Sequence, residues 1–498
     1  MVVGLVALGG VAACHEAQPS VAAPAAGTAA PSAEVAQGGQ PGAVLDAGTS
    51  ESLDAGGVAT PPVAPPAPVA LVRLPTGVAR VAAATVPPAS LKAVVTANNA
   101  FASALLGQVR AGSAGKNLLT SPISATLALS MAFAGATGQT RAEMAQALRF
   151  GAHVGSAIFE GQNALGQALL ARGPDALAYS SRNASESKPP APSDYTLQIV
   201  SSVWGEASYH WEPPFLNTLG ADYGTSVYAR DFRHHADAAR LEINGWVSSQ
   251  TGDKIQNLLP PRAVPDTTRL VLVNALHLKF PWEQPFEPSA TSAALFTRGD
   301  QKPISVPFMH RQSRFAYLDD GRAQIVALPV SGRQLSVIIA LPHAGVSLTS
   351  YERSLRGDSP AFVQPASDSL VALSLPKVTF TSAAFSLTDA LRGLGMKEAF
   401  DPEHAHFEGM CAKPPPNERL YVGDVLQKAT IALQETGVEA AAATAVVMMT
   451  AEAVRRGPAP VPIPMVVNRP YLIAVVDVPT GAVLMLGQID DPSDAGSE

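Results

Sequence analysis

Few residues in this chain stand where side-chain chemistry would need them. His234-His235 and His404-Ala-His406 are the close histidine groupings, and neither is completed into a metal-ligand pattern, so both read as surface histidines. Cys411, beside Pro414-Pro-Pro416, reads as a structural or loop thiol. Nucleophile elbow, dinucleotide fingerprint, phosphate loop, zinc-protease helix and Cys-x-x-Cys motifs are all lacking. Neither turnover nor a cofactor or metal is expected.

One stretch has a different use, in which the backbone does the work. Glu435 to Thr450 contains four consecutive alanines, Ala440 to Ala443, and local propensity alone would make it helix. At period two, Val438, Ala440, Ala442, Thr444 and Val446 share one face, and Glu439, Ala441, Ala443 and Ala445 share the other. Small side chains in alternation suit a strand that slides between two others. Gly437 supplies backbone freedom at its start, and no proline interrupts the ladder before Pro458.

The elements that must hold such a strand follow from periodicity. Phe101, Leu105 and Val109 mark a helix with one buried stripe. Ser121 is a candidate N-cap with Pro122 at the first helical position, opening a buried helix over 123–136. Thr140-Arg-Ala-Glu143 fits a capping box for the next helix. Residues 172–194, rich in Pro and Ser, read as a surface insertion ahead of a strand over 195–203. A helix over 238–249, strands over 269–279 and 370–380, a short helix over 385–394, and hairpins over 324–341 and 471–489 complete an α+β pattern.

Composition bounds the partners. With 498 residues, 47% hydrophobic content, 15% charged residues and a net charge of −7, a nucleic acid or anionic membrane surface is not an expected partner. Val2 to Ala13 is an apolar run of signal-peptide length, and Val11-Ala-Ala-Cys14 resembles a bacterial lipobox, in which the cysteine takes a lipid. The run lacks an opening Lys or Arg, so the natural start is expected upstream. Residues 1–14 therefore read as a signal and 15–90 as an Ala/Pro/Gly-rich tether about 50 Å in root-mean-square span. The expected location is extracytoplasmic, either anchored to a membrane only through Cys14 or secreted.

Separated blocks then resemble the serpins, the serine protease inhibitor family. They are Asn117-Leu-Leu-Thr-Ser-Pro-Ile-Ser124 with Gly135-Ala-Thr-Gly-Gln-Thr140; Ile243-Asn-Gly-Trp-Val247 with Thr251-Gly-Asp-Lys-Ile255; Leu272-Val-Asn-Ala-Leu276 with Trp282 and Pro285-Phe286; the hinge from Glu435 to Thr444; and Val467-Asn-Arg-Pro-Tyr-Leu472, closing at Pro492. The resemblance implies one domain over 91–498, with three β-sheets, about eight to nine helices and an exposed reactive centre loop over about 435–466. It also implies a monomeric suicide inhibitor of serine proteases; the alternative is a non-inhibitory member acting as a scaffold or protease substrate.

Site residues carry over one at a time. Ser121, Ser124 and Asn274 match the family's buried polar shutter, where Gln427 replaces a histidine; the two serines are also readable as plain cap residues. Trp282, Lys377 and Glu435 match the breach at the top of the large sheet, with Lys377 and Glu435 paired across neighbouring strands; Trp282 is equally readable as core. The family's spacing from Glu435 places the cleaved bond at Ala451-Glu452, which would suit an elastase- or subtilisin-like protease. Met449, Thr450 and the trypsin-type pair Arg455-Arg456 are the alternatives in an unusually long loop. Polyanion control is not expected from Arg172, Arg182 and Lys188 alone.

Overall fold

A computed structural model describes residues 2–6, 73–111, 115–151, 155–183, 191–355, 367–382, 385–414, 418–438 and 460–496. Its elements run β1 (Val2–Val6), α1 (Pro88–Ala111), β2 (Leu118–Thr120), α2 (Pro122–Gly135), α3 (Gly138–Ala147), α4 (Ser156–Asn183), β3 (Thr196–Glu206), α5 (Pro213–Thr218), β4 (Val227–Arg230), α6 (Phe232–Gln250) and β5 (Leu270–Pro281). They continue as β6 (Ser292–Thr297), β7 (Pro303–Asp319), β8 (Ala323–Pro329), β9 (Leu335–Pro342), α7 (Leu348–Ser354), β10 (Ser367–Pro376), β11 (Val378–Thr381), β12 (Phe385–Ser386) and α8 (Thr388–Gly393). The chain ends with β13 (Leu426–Leu433), β14 (Gly437–Val438), β15 (Ile463–Val466), β16 (Tyr471–Asp477) and β17 (Val483–Ile489).

The strands form two hydrogen-bonded sets, giving the α+β class read from the sequence. The first runs β1-β13-β14-β5-β3-β4, with β11 and β12 also on β13 and a further pairing of β1 with β5. The second runs β15-β10-β7-β8-β9-β16-β17-β2, with β6 on β7. β7 pairs with β6 and β10 along its first part and with β8 at its end, so this one strand joins the two halves of the second set.

α2 is apolar nearly all round and is buried along its length, packed against α1 and against β5 and β17, one strand from each set. Ser121 caps it as expected. α6 docks on β3 through Trp246, whose ring meets Trp204 edge-on at 6.1 Å while Trp204 stacks on Tyr228 at 4.8 Å.

Tertiary contact moves several boundaries. α3 starts at Gly138 with Thr137 at its N-cap, so Thr140-Arg-Ala-Glu143 is not a capping box: the Thr140 hydroxyl donates to Glu398, and Glu143 accepts from the amides of Lys397 and Glu398. The surface insertion expected over 172–194 is in large part helix, since α4 continues through Pro174 to Asn183. It is held there by Arg172, buried against Asp477 of β16 at 2.6 Å. The strand read over 370–380 breaks at Lys377, whose amide donates to Pro307, and its two halves, β10 and β11, join different sets. The expected tether boundary at 90 also moves, because packing begins by Arg73. Arg73 bridges to Tyr228, and the Leu74 amide donates to Val227. Val2–Val6, read from sequence only as part of an apolar leader, is a strand of the first sheet.

Candidate functional site

β13 leaves the first sheet at Leu433, turns through Gln434–Thr436 and returns as β14, which lies antiparallel between β13 and β5. Val438 stands opposite Leu433 on one side and Phe280 on the other. Residues of β5 and its extension pin the turn: the Trp282 amide donates to Thr436 at 3.0 Å, its indole Nε1 to Gln434 at 2.8 Å, and the Phe286 amide to Glu435 at 2.8 Å. Trp282 is thus core, only 3% exposed, and also a clamp on the turn.

Glu435 is paired with Lys377 at 2.8 Å and accepts the Thr291 hydroxyl at 3.0 Å. Burial pushes the Glu435 carboxyl up, but hydrogen bonds from Lys377, its own amide and Thr291, together with the Lys377 charge, outweigh it and hold the group below its ordinary value. Gly437 is needed here for space. A Cβ at that position would meet the Phe280 carbonyl oxygen at 2.4 Å and the Pro281 Cα at 2.7 Å. The conformational freedom argued from sequence is therefore replaced by close packing of backbone on backbone.

Further down, Gln427 of β13 is fully buried and donates through Nε2 to the Ser121 carbonyl at 3.1 Å, while its Oε1 has no hydrogen-bond partner. Ser121 donates to Ser124 at 2.9 Å or to the Leu484 carbonyl at 3.0 Å, so both serines belong to a buried polar group as well as to a helix cap. Asn274 lies on β5 in register with Ser201 of β3. Ser121, Ser124 and Gln427 are brought together, and Trp282, Lys377 and Glu435 meet at the other end of the slot.

Glu439 to Thr444, Met449, Thr450, Ala451, Glu452, Arg455 and Arg456 lie outside the described residues, as does Cys14. The chain is described again from Pro460, and β15 runs parallel to β10 with Ile463 opposite Val371. Cys411 is buried, and burial pushes its thiol up, the setting of a structural thiol. Each histidine noted in the sequence sits beside a carboxylate: His234 and His235 against Asp231, His404 against Asp401 and His406 against Glu408. The described residues hold no group of three or more metal-ligating side chains. Sequence reasoning missed Thr291, Gln434 and the Arg172–Asp477 pair, whose partners lie far apart in the chain.

Two strands with a short hinge strand seated between them at one end, and a buried polar cluster further along, define the site of an α+β fold. The serpin (serine protease inhibitor) family model matches residues 96–492, and the chain belongs to that family. Leukocyte elastase inhibitor of Bos taurus is 30% identical over 405 residues, covering 80% of this chain and 98% of the relative. The macrophage plasminogen activator inhibitor 2 of Mus musculus is 28% identical over 424 residues, covering 80% and 99%. Among solved structures, AtSerpin1 of Arabidopsis in its native stressed conformation aligns with a TM-score of 0.67 and 25% identity, over 81% of this chain and 98% of that one. The thermophilic serpin tengpin in its native state aligns with a TM-score of 0.64 and 24% identity, over 80% and 94%.

Proposed function

We propose that this serpin traps serine proteases as an irreversible suicide inhibitor. A protease cleaves the reactive loop and is held as an acyl-enzyme; the freed hinge then enters the slot between β13 and β5 as a new strand. This is strand addition of the kind for which serpin loop insertion is itself the standard example. A strand from Glu435 to Ala451 spans about 50 Å at ~3.3 Å per residue, enough to drag the enzyme along the sheet and distort the triad and oxyanion hole that deacylation needs.

The observation that carries this reading is the seating of β14 between β13 and β5, antiparallel to both. Extending its register puts Thr444 opposite Asn274 and Gln427. The slot-facing residues Val438, Ala440, Ala442 and Thr444 are small or apolar, so nothing charged has to be buried on the way. Relatives named as inhibitors of leukocyte elastase and of plasminogen activators support the target class.

Ala451-Glu452 is the proposed scissile bond. Cleavage at Arg455 or Arg456 would leave slack and weaken the pull. We further place the mature protein outside the cytoplasm as a monomer, in the manner of a bacterial lipoprotein, with Cys14 lipidated and the following residues as its tether; radiolabelled palmitate incorporation lost in Cys14→Ser is the check.

The trapping test is incubation with elastase, subtilisin and trypsin. A band at the summed mass that survives boiling in detergent is expected, and mass spectrometry of the released C-terminal fragment identifies the bond. Clean cleavage with no such band, from a chain that begins at Cys14 as well as from the full chain, would place the protein among non-inhibitory serpins.

A further inference from the structure

The slot is occupied twice. β14 holds its mouth, and below it the chain's own N-terminal strand holds its middle. On one wall Val2 pairs with His277 and Leu5 with Asn274; on the other Val3 pairs with Ala429 and Val6 with Leu426. Both pairings are antiparallel, so β1 runs in the same direction as β14. Continuing the register of Val438 down the same two walls gives each residue of β1 a counterpart in the reactive loop. Val2 stands where Ala441 would stand, Leu5 where Thr444 would, and Val6 where Ala445 would.

The two segments exclude each other, because each ladder N–H and C=O on the walls takes one strand partner. Without an occupant, the inner edges of β5 and β13 over this span would have to close on each other or carry unpaired backbone groups. Val2-Val-Gly-Leu-Val6 holds three valines and a leucine, with no proline and no charge, whereas 441–445 is alanine apart from Thr444. On strand preference the N-terminal segment is the stronger former of the two.

We infer that Val2–Val6 is an intramolecular plug of the insertion slot, holding the hinge at Val438 until β1 leaves. The inference rests on the trapping reading above, since a plug matters only where the loop has to enter. It gives the N-terminal run a second use: a chain that keeps residues 2–6 carries the plug, and a chain that begins at Cys14 lacks it.

The test compares the full chain with full-length Leu5→Pro and, as a second variant, Val3→Pro, each of which breaks a ladder bonded on both sides. Amide exchange across 274–277 and 426–429 should quicken at least about tenfold in both variants, with β16 and β17 unchanged. The yield of stable complex with elastase should rise, bringing the stoichiometry of inhibition several-fold down toward equimolar. Unchanged exchange in both variants would overturn the plug. Quickened exchange with unchanged complex yield would overturn its control over insertion. Quickened exchange with no complex from any form would uphold the seat of β1 and bring down the trapping reading instead.

Discussion

At the scale of single residues, the charged clamp on the hinge carries a pH signature. Glu435 is held below its ordinary value of 4.5 by Lys377 and by hydrogen bonds from its own amide and Thr291. A carboxyl depressed in the folded state adds stability that is fully present above the unfolded value and is lost as pH falls through the folded one. Lys377→Met should therefore cost about 0.5–1 kcal/mol at pH 7 for this partly exposed pair. The deficit should shrink in acid below pH 4.5, as followed by urea denaturation across that range; a deficit constant with pH would show that packing, and not charge, is what Lys377 contributes. Gln427 brings no comparable switch, since its amide does not titrate where the family has a histidine. Its identity was legible by alignment to a motif. Its bond to the Ser121 carbonyl was not, because the partner lies in another element.

At the scale of elements, the seating of β14 turns on the closeness of backbones. Gly437→Ala sets a methyl 2.4 Å from the Phe280 carbonyl oxygen, so β14 should lift from β5, costing about 1–3 kcal/mol of stability. Faster amide exchange at Val438 and Phe280 is the expected readout; a protected Val438 in that variant would mean the neighbouring strand yields. Lower in the loop, Ala442→Pro removes a ladder donor from the strand that has to form. It should turn inhibitor into substrate, with the detergent-stable band falling at least about tenfold while cleavage continues. Retained inhibition would argue that insertion past Val438 is not what traps the enzyme. The strand pattern of this region was readable at period two. The reason for Gly437 was not, because space between strands is not encoded in either strand alone.

At the scale of the whole molecule, the proposal requires the intact chain to sit above its lowest free energy. Nicking within the loop should let the hinge, once β1 has left, complete the first sheet and pair the walls of the slot along their length. The nicked protein should melt well above the intact one by calorimetry, and equal melting temperatures would leave no stored energy to spend on a protease. By itself the sequence determined the α+β class, the buried central helix α2, the final hairpin and the small-residue hinge, since each is written in local periodicity, capping or side-chain size. Only the tertiary structure decided that α4 runs on through Pro174 and that one apparent strand divides at Lys377, because buried pairing with distant partners outweighs local preference. It also decided what lies in the slot. Val2–Val6 has the composition of a leader and of a strand alike, and antiparallel pairing with β5 on one side and β13 on the other is what makes it a strand.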